Sequence, residues 1–221
     1  MATSLDGKTA LSNGVSKWIT GDESRRDVQR LRLRHCAVIT GINTVIDDDC
    51  SLNVRHNELG ELSNHLIESE VLQPLRVVLD SKCQISLSAK LFTIKTPILL
   101  VSTQPYSQTF TDSKPSHVQC LLLNDVDGRV DLAALLTHIG NDCNSVLIEA
   151  GATLAGAVIE QALADELWLY QAPKLLGSQG RNCLILPDYQ QISQTPEITL
   201  LDERKIGEDR RFRFNLTSKN L

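Results

Sequence analysis

The hydrophobic and polar positions form two patterns along the chain, and the change between them lies past its middle. In the first part, short apolar runs rich in branched residues predict buried strands. These runs cover residues 36–40, 76–79, 97–101, 118–123 and 145–148. Helices are predicted over residues 22–34, 131–139 and 154–163, with Asp131 as the N-cap of the second.

In the last part of the chain, apolar and polar residues alternate, which is typical of strands with one buried face. Residues 166–172, 198–206 and 211–216 follow this pattern, and Gly207-Glu-Asp joins the last two as a hairpin. Strands that alternate with helices and are followed by strands alone predict an α/β fold. We expect a mainly parallel central sheet flanked by helices, with an antiparallel C-terminal hairpin. We find no linker, so we expect one domain over residues 1–221.

Composition narrows the function classes. The chain has 221 residues, of which 42% are hydrophobic and 22% charged, and its net charge is −5. The negative charge argues against a general nucleic-acid binder, and the apolar runs are too short to span a bilayer. The N-terminus lacks the apolar segment of a signal peptide. We therefore expect a cytoplasmic protein with neither nucleic acid nor membrane as a partner.

Cysteine, histidine and aspartate positions give no metal site. The six cysteines are scattered, so we expect reduced and mostly buried thiols. The five histidines lack ligand spacing. Residues 47–49 are three consecutive aspartates, but consecutive residues rarely converge on one ion. We interpret them as helix-end and turn residues, one of which can hydrogen-bond a ligand.

Residues 145–163 contain the strongest candidate for a binding site. A predicted buried strand turns through Gly151 into a predicted helix that contains Gly156. Such a turn points free backbone N–H groups and the positive end of the helix dipole at one spot, which suits a phosphate. Glu149, a like charge, is expected to face a hydroxyl or an amine of a second ligand. Close packing of a strand and a helix through small residues is the alternative.

Two known phosphate-binding motifs do not fit this stretch. No Lys-Ser or Lys-Thr pair follows the glycines, as a Walker loop requires. The glycine spacing also differs from the dinucleotide fingerprint, and Gln171 stands where an acidic residue binds ribose.

Arginines concentrate in the predicted helix 22–34. Arg26, Arg30 and Arg34 recur four residues apart, and Arg25 and Arg32 lie on a neighbouring face. We interpret most of them as a solvated basic face, with one or two turned toward an anionic ligand.

Several motifs, in this order, resemble the reductase domain of the bacterial bifunctional riboflavin-biosynthesis deaminase/reductase. The resemblance covers nearly the whole chain, and the order and spacing of the motifs make it specific. The motifs are Ser4-Leu-Asp-Gly-Lys-Thr-Ala10, Ser16-Lys-Trp-Ile-Thr20, Arg25-Arg-Asp27, Gly41-x-x-Thr-Val45, Val78-Leu-Asp-Ser81, Leu147-Ile-Glu-Ala-Gly-Ala-Thr-Leu-Ala155 and Ala172-Pro-Lys-Leu-Leu-Gly177.

The resemblance implies a dihydrofolate-reductase-like fold, NADPH as hydride donor and, in many members, a homodimer. The family substrate is 5-amino-6-(5-phosphoribosylamino)uracil. Hydride transfer to ribosyl C1′ of its ring-opened imine gives the ribitylamino product, and this step needs no metal.

The resemblance also assigns site residues. Substrate contacts fall on Ser16, Arg32, Leu52, Arg55 and Glu149, with the two arginines answering the phosphate and Glu149 as the catalytic candidate near the ribose. Cofactor contacts fall on Ala2, Trp18, Thr44, Asp48 and Ser81, the last in the adenosine 2′-phosphate region. The NADPH diphosphate falls on the loop formed by Gly151, Ala152, Thr153, Leu154, Ala155, Gly156 and Ala157.

Two departures from the family pattern bear on activity. Family members usually carry a lysine immediately before the position of Met1, on a first strand of which this sequence has only the end. Its absence leads us to expect a truncated first strand. The deaminase domain, with its zinc-ligand cysteines and histidine, is also missing from this sequence, so we expect no deaminase activity. Cys50 stands where members commonly have proline, which predicts a looser substrate loop. The alternatives are an NADPH-binding remnant with little turnover and a related pterin or folate reductase.

Overall fold

The secondary structure follows the predicted alternation of strands and helices. The computed structural model describes residues 1–216. The strands are β1 (Ala2–Ser4), β2 (Lys8–Ala10), β3 (Ala37–Gly41), β4 (Leu75–Leu79), β5 (Ile98–Ser102), β6 (Val118–Leu122), β7 (Asp125–Val126), β8 (Arg129–Val130), β9 (Val146–Ile148), β10 (Glu166–Ala172), β11 (Arg181–Asn182), β12 (Thr199–Ile206) and β13 (Asp209–Asn215). The helices are α1 (Asp22–Arg34), α2 (Ile42–Asp48), α3 (Gln108–Ser113), α4 (Leu132–Ile139) and α5 (Ala152–Glu160).

The chain divides into two compact units. The first unit consists of Met1–Asp27 and the chain from Gly151 onward, and the second is Val28–Ala150. Helix α1 crosses from the first unit into the second at Asp27. The expectation of one domain over residues 1–221 stays a prediction.

The second unit is built on a five-stranded sheet with the order β6-β5-β4-β3-β9, in which all neighbours are parallel. This confirms the predicted parallel sheet. From β3 the chain adds β4, β5 and β6 on one side, and β9 then pairs with the other side of β3. The direction of strand addition therefore reverses between β3 and β9. Open α/β sheets bind ligands at the carboxyl ends of the strands at such a reversal.

The central strands of this sheet are buried on both faces, which explains their nearly continuous apolar sequences. Side chains of β3, β4 and β5 pack in a core that also contains Val45, Leu52, Leu91 and Phe92. The prediction of a buried strand at 145–148 was wrong in degree. Strand β9 forms the edge of the sheet, and its three residues are half-buried.

The first unit contains a mixed four-stranded sheet with the order β1-β10-β13-β12. Strand β1 is parallel to β10, whereas β13 is antiparallel to both β10 and β12. This arrangement confirms the antiparallel C-terminal hairpin, and the alternating sequence of β10 gave its bounds correctly. A two-stranded ribbon of β2 and β11 is also present, and its strands are too short to show a periodicity.

Helix α1 has the predicted bounds, and the C-terminal hairpin supplies an acceptor at its start. The carboxylate of Asp209 accepts hydrogen bonds from the Gly21 N–H at 2.7 Å and from the Ser24 hydroxyl at 2.6 Å. Near the middle of the helix, Asp27 accepts hydrogen bonds from Tyr170 and from Arg211. Polar contacts of the first turns of α1 therefore come from β10 and β13.

The cysteines differ from the prediction in their burial. All six are free, but none is buried: Cys36 and Cys120 are exposed and the other four are half-buried. Cys36 precedes β3, and Cys120 lies on β6 at the edge of the sheet. Separately, no helix within residues 1–216 is both long and apolar enough to cross a membrane.

Arg76 interrupts the apolar sequence of β4 and is completely buried. Its guanidinium donates to the carbonyl oxygens of Ser51, Leu91, Ile94 and Thr96 at 2.7–3.0 Å. Burial lowers the pKa of Arg76 to about 10. One side chain therefore ties two separate stretches of the chain, Ser51 and residues 91–96, to the centre of the sheet.

Replacing Arg76 with methionine should destabilise the protein, because the four carbonyl oxygens lose their donor while the apolar volume stays similar. We expect the free energy of unfolding to fall by about 3 kcal/mol, measured by urea denaturation. Arg34→Met, at an exposed position of α1, is the control and should change it by less than about 0.5 kcal/mol. Equal effects of the two variants would contradict this role of Arg76.

Candidate functional site

Glu149 lies at the carboxyl edge of the parallel sheet, at the reversal between β3 and β9. It follows the last residue of β9, and its N–H donates to Ile39 O on β3 at 2.9 Å. Its own carbonyl oxygen accepts a hydrogen bond of 2.7 Å from the Thr40 hydroxyl. The backbone of Glu149 is thus fixed on β3 at both its donor and its acceptor.

The side chain of Glu149 forms a two-point ion pair with Arg32 of α1. Arg32 Nε and Nη2 donate to the two carboxylate oxygens at 2.6 and 2.7 Å, and Nη1 donates to Asn53 O at 2.9 Å. The side chains are 10% and 22% exposed, Arg32 being the more buried. Burial works against the charge of Arg32, but Glu149 outweighs it, so the pKa of Arg32 is raised. Sequence reasoning identified both residues and missed their pairing.

The ion pair changes which ligand groups Arg32 and Glu149 can bind. Arg32 was expected to answer the substrate phosphate, but in this structure each of its nitrogens donates to the protein. Each oxygen of Glu149 accepts one bond from Arg32, which leaves further lone pairs on both. The geometry therefore presents a fixed carboxylate, which can accept hydrogen bonds from a ligand hydroxyl or amine.

The segment after α2 contains two further predicted substrate residues. Leu52 adopts a left-handed backbone conformation with φ +55°, and its side chain is 2% exposed in the core. A ligand contact of Leu52 would therefore come from its backbone. The Arg55 side chain is about half exposed and forms an ion pair of 2.9 Å with Glu58. Such a surface pair is weak, so the guanidinium can turn to an anion.

Helix α2 and its end contain Thr44 and the aspartates. Thr44 is half-buried, whereas Asp47, Asp48 and Asp49 are exposed. The helix ends at Asp48, and Asp49 follows in a left-handed conformation, which confirms the helix-end interpretation. Asp49 accepts a hydrogen bond from the Lys90 N–H, whereas Asp48 has an exposed carboxylate. Within residues 1–216, no group of three potential ligands is placed to hold a metal.

The turn after β4 is organised by Asp80, a residue that sequence reasoning did not single out. Its buried carboxylate accepts from the N–H groups of Gln84 and Ile85 and from the Tyr106 hydroxyl at 3.0 Å. Burial and the adjacent Asp80 raise the pKa of Tyr106 above its usual range. Ser81 follows and is half-buried, and its carbonyl oxygen accepts from the Thr103 hydroxyl. Ser81 is thus held at the carboxyl edge of the second unit's sheet.

In the first unit, the start of α5 has the features expected of a phosphate site. Gly151 is the N-cap, is exposed, and within residues 1–216 no side chain caps the helix there. A Cβ atom at Gly151 would meet open space. Thr153 is also exposed, whereas Ala155 and Gly156 are buried. The first turn of α5 is therefore the part of the 151–157 loop that can reach a ligand.

Gly156 has a different role from that of a ligand contact. A Cβ atom placed on it would lie 1.8 Å from Ile185 O, and the Ile185 N–H donates to Ala152 O at 3.2 Å. The glycine therefore allows the backbone of the 185 region to lie directly against α5. The close packing at Gly156 is between α5 and the irregular 185 region, and not between a strand and the helix as the alternative supposed, while a Cβ at Gly151 would meet open space.

Three more predicted site residues lie in the N-terminal part of the first unit. The Trp18 ring is 64% exposed, with the Arg25 guanidinium 4.2 Å from its centre, and Lys174 donates to its carbonyl oxygen. The Lys17–Trp18 peptide bond is cis. Ser16 is half-buried and Ala2 is exposed on β1. An exposed indole stacked on a cation is a surface on which a planar ring can bind.

Asp6 links two motifs that are far apart in sequence. Its carboxylate accepts from the N–H groups of Leu176 and Gly177 and from the Ser4 hydroxyl. These bonds lower the pKa of Asp6 to about 2. The sequence does not indicate these bonds, because they join residues far apart in the chain and leave no local pattern.

These features were compared with known proteins. A family model described as the RibD C-terminal domain matches residues 1–211. The chain belongs to the RibD C-terminal domain family. The α/β fold with a parallel sheet and antiparallel C-terminal strands is that of RibD reductase structures.

Individual relatives agree with the family. The riboflavin biosynthesis protein RibD of Escherichia coli (strain K12) is 38% identical over 217 residues, which cover 95% of this chain and 56% of that protein. The 5-amino-6-(5-phosphoribosylamino)uracil reductase of Buchnera aphidicola (strain APS) is 30% identical, with 90% of this chain and 95% of that protein covered. The chain thus spans about half the length of several RibD relatives and nearly all of the Buchnera reductase.

A solved structure shows the same fold in a RibD protein. Acinetobacter baumannii RibD matches with a TM-score of 0.84 and 38% identity, over 99% of this chain and 57% of that one. The sequence identity to this solved structure equals the identity to the Escherichia coli relative, 38% in both cases.

Gly156→Ala should destabilise the first unit, since the added methyl group would overlap Ile185 O. We expect a loss of about 2 kcal/mol in the free energy of unfolding, measured by chemical denaturation. Gly151→Ala is the matched control, because its Cβ meets open space and its φ of −70° suits alanine. It should cost less than about 1 kcal/mol. A Gly156→Ala protein as stable as the control would exclude this contact.

Proposed function

We propose that this chain is an NADPH-dependent reductase that converts 5-amino-6-(5-phosphoribosylamino)uracil to 5-amino-6-(5-phosphoribitylamino)uracil in riboflavin biosynthesis. The observation that carries the proposal is the fixed carboxylate of Glu149 at the reversal between β3 and β9. The name of the Buchnera relative, which this chain matches over nearly its full length, supports the choice of substrate. A homodimer and a cytoplasmic location belong to the same proposal.

The chain offers groups that suit NADPH. The uncapped first turn of α5, from Gly151 to Leu154, provides free N–H groups and a positive dipole end for the diphosphate. The exposed ring of Trp18 suits a planar group of the cofactor. From the second unit we propose Thr44, Asp48 and Ser81 as cofactor contacts. When bound, NADPH supplies the hydride for the reaction.

The protein groups have separate tasks toward the substrate. We propose that Glu149 accepts hydrogen bonds from the sugar hydroxyls or the amine and so orients the carbon that is reduced. Arg32 holds this carboxylate in one rotamer through two hydrogen bonds, and Arg55, which is about half exposed, binds the phosphate. Ser16 and the backbone of Leu52 complete the proposed contacts. The rate enhancement would come mainly from orientation, since no bond to the protein forms.

The proposed function is tested by titrating the chain with NADPH and NADH and then adding the phosphoribosylamino substrate. We expect NADPH to bind more tightly than NADH and to change the tryptophan fluorescence, because Trp18 is exposed. Trp18→Phe, which leaves Trp168 as the internal control, should remove most of that change. NADPH absorbance should then fall with one equivalent of ribitylamino product. Binding without turnover would indicate a cofactor-binding remnant. Absence of both binding and turnover would refute the proposal.

Glu149→Gln should lower turnover while leaving NADPH affinity unchanged. The amide has the same shape, but it lacks the charge and offers Arg32 one acceptor in place of two. We expect kcat/KM for the substrate to fall about 100-fold, with the NADPH Kd within about twofold of wild type. Glu203→Gln, which alters an exposed ion pair with Arg210 on the hairpin, is the control. Equal loss of NADPH affinity and turnover would contradict the proposed role.

A further inference from the structure

The segment Ser51–Arg55 is irregular, yet its backbone is bonded to side chains along most of its length. It has no regular secondary structure. Arg76 donates to its first carbonyl oxygen and Arg32 to that of Asn53. Gln73 and Gln29 bond the last two residues of the segment, as described next. Irregular segments more often place such groups in water.

Gln73 bonds Val54 as a neighbouring strand would. Its Oε1 accepts from the Val54 N–H at 2.8 Å, and its Nε2 donates to the Val54 carbonyl oxygen at 3.0 Å. One amide thus satisfies both backbone groups of one residue. Gln29, on α1 and 2% exposed, accepts from the Arg55 N–H at 3.0 Å. Each glutamine therefore fixes one of two consecutive residues.

Two apolar side chains of the same segment are buried and anchor it to the protein interior. Leu52 and Val54 are 2% and 3% exposed. The backbone of Leu52 is left-handed and turns the chain at the first of these two anchors. With buried side chains on one side and bonded backbone groups around it, the segment is held in one conformation before any ligand arrives. Arg55, at its end, keeps an exposed guanidinium.

We infer that Gln73 and Gln29 are positioning residues that hold Ser51–Arg55 as a preformed part of the substrate site and so raise affinity for the phosphorylated substrate. The inference rests on the proposed function, in which Leu52 and Arg55 contact that substrate. Ordering a flexible residue on binding costs conformational entropy. A segment ordered in advance does not pay this cost when ligand binds. Neither glutamine is expected to touch the substrate.

The test replaces Gln73 and Gln29 separately with methionine, which keeps the length of the side chain and removes its hydrogen bonds. Gln108→Met, at an exposed position of α3 where the amide bonds only Asp112, is the matched control. For Gln73→Met we expect the substrate KM to rise about tenfold, whereas kcat and the NADPH KM stay within about twofold. Amide hydrogen exchange of residues 51–55 should become faster. Gln73 is half-buried and Gln29 is 2% exposed, so we expect Gln73→Met to cost less stability than Gln29→Met, which chemical denaturation of both variants checks.

The outcomes separate this inference from the proposed function. A wild-type chain without turnover of the substrate refutes the proposed function and this inference with it. An active wild-type chain with unchanged substrate KM in Gln73→Met refutes the inference alone. So does a variant in which kcat falls and KM does not, or one in which exchange of residues 51–55 is unaltered. A rise in KM together with faster exchange, absent from Gln108→Met, supports it.

Discussion

The ion pair between Arg32 and Glu149 is the interaction on which the second unit's ligand edge depends. A carboxylate that is mostly removed from water needs a partner, and the guanidinium offers two parallel donors at 2.6 and 2.7 Å. The third bond of Arg32, to Asn53, ties the same charge to the segment that follows α2. The Arg32 side chain therefore connects helix α1 to both the end of β9 and this segment. A change at any of the three moves the carboxylate.

Buried or half-buried polar side chains that bond backbone groups recur in this unit. Arg76 bonds four carbonyl oxygens, Asp80 bonds two N–H groups of the turn after β4, and Gln73 bonds both groups of Val54. Each replaces a strand or helix partner that the local chain lacks. These bonds thus hold irregular segments at both ends of the strands against the parallel sheet.

The elements with a local signal could be predicted from the sequence, and the contacts between distant residues could not. Alternation gave β10 its bounds, and Asp131 caps α4 by accepting from the Ala134 N–H as its residue type indicates. The pairing of Arg32 with Glu149 joins residues far apart in the chain, and nothing near either residue encodes it. The hydrogen bonds of Asp6 and Gln73 could not be predicted for the same reason, because their partners come close only when the chain has folded. The motifs indicated candidate site residues, but not the contacts that hold these residues in place.

The close approach of Ile185 to α5 has a consequence for how this part of the chain can diverge among relatives. The contact at Gly156 is made by the carbonyl oxygen of Ile185, whereas the Ile185 side chain is 58% exposed. A contact made by a backbone carbonyl oxygen does not depend on the identity of the side chain of the same residue. Position 185 is therefore free to drift among residue types, while position 156 tolerates only the smallest. In an alignment of relatives, position 156 would therefore look constrained and position 185 would not, although both residues form the contact.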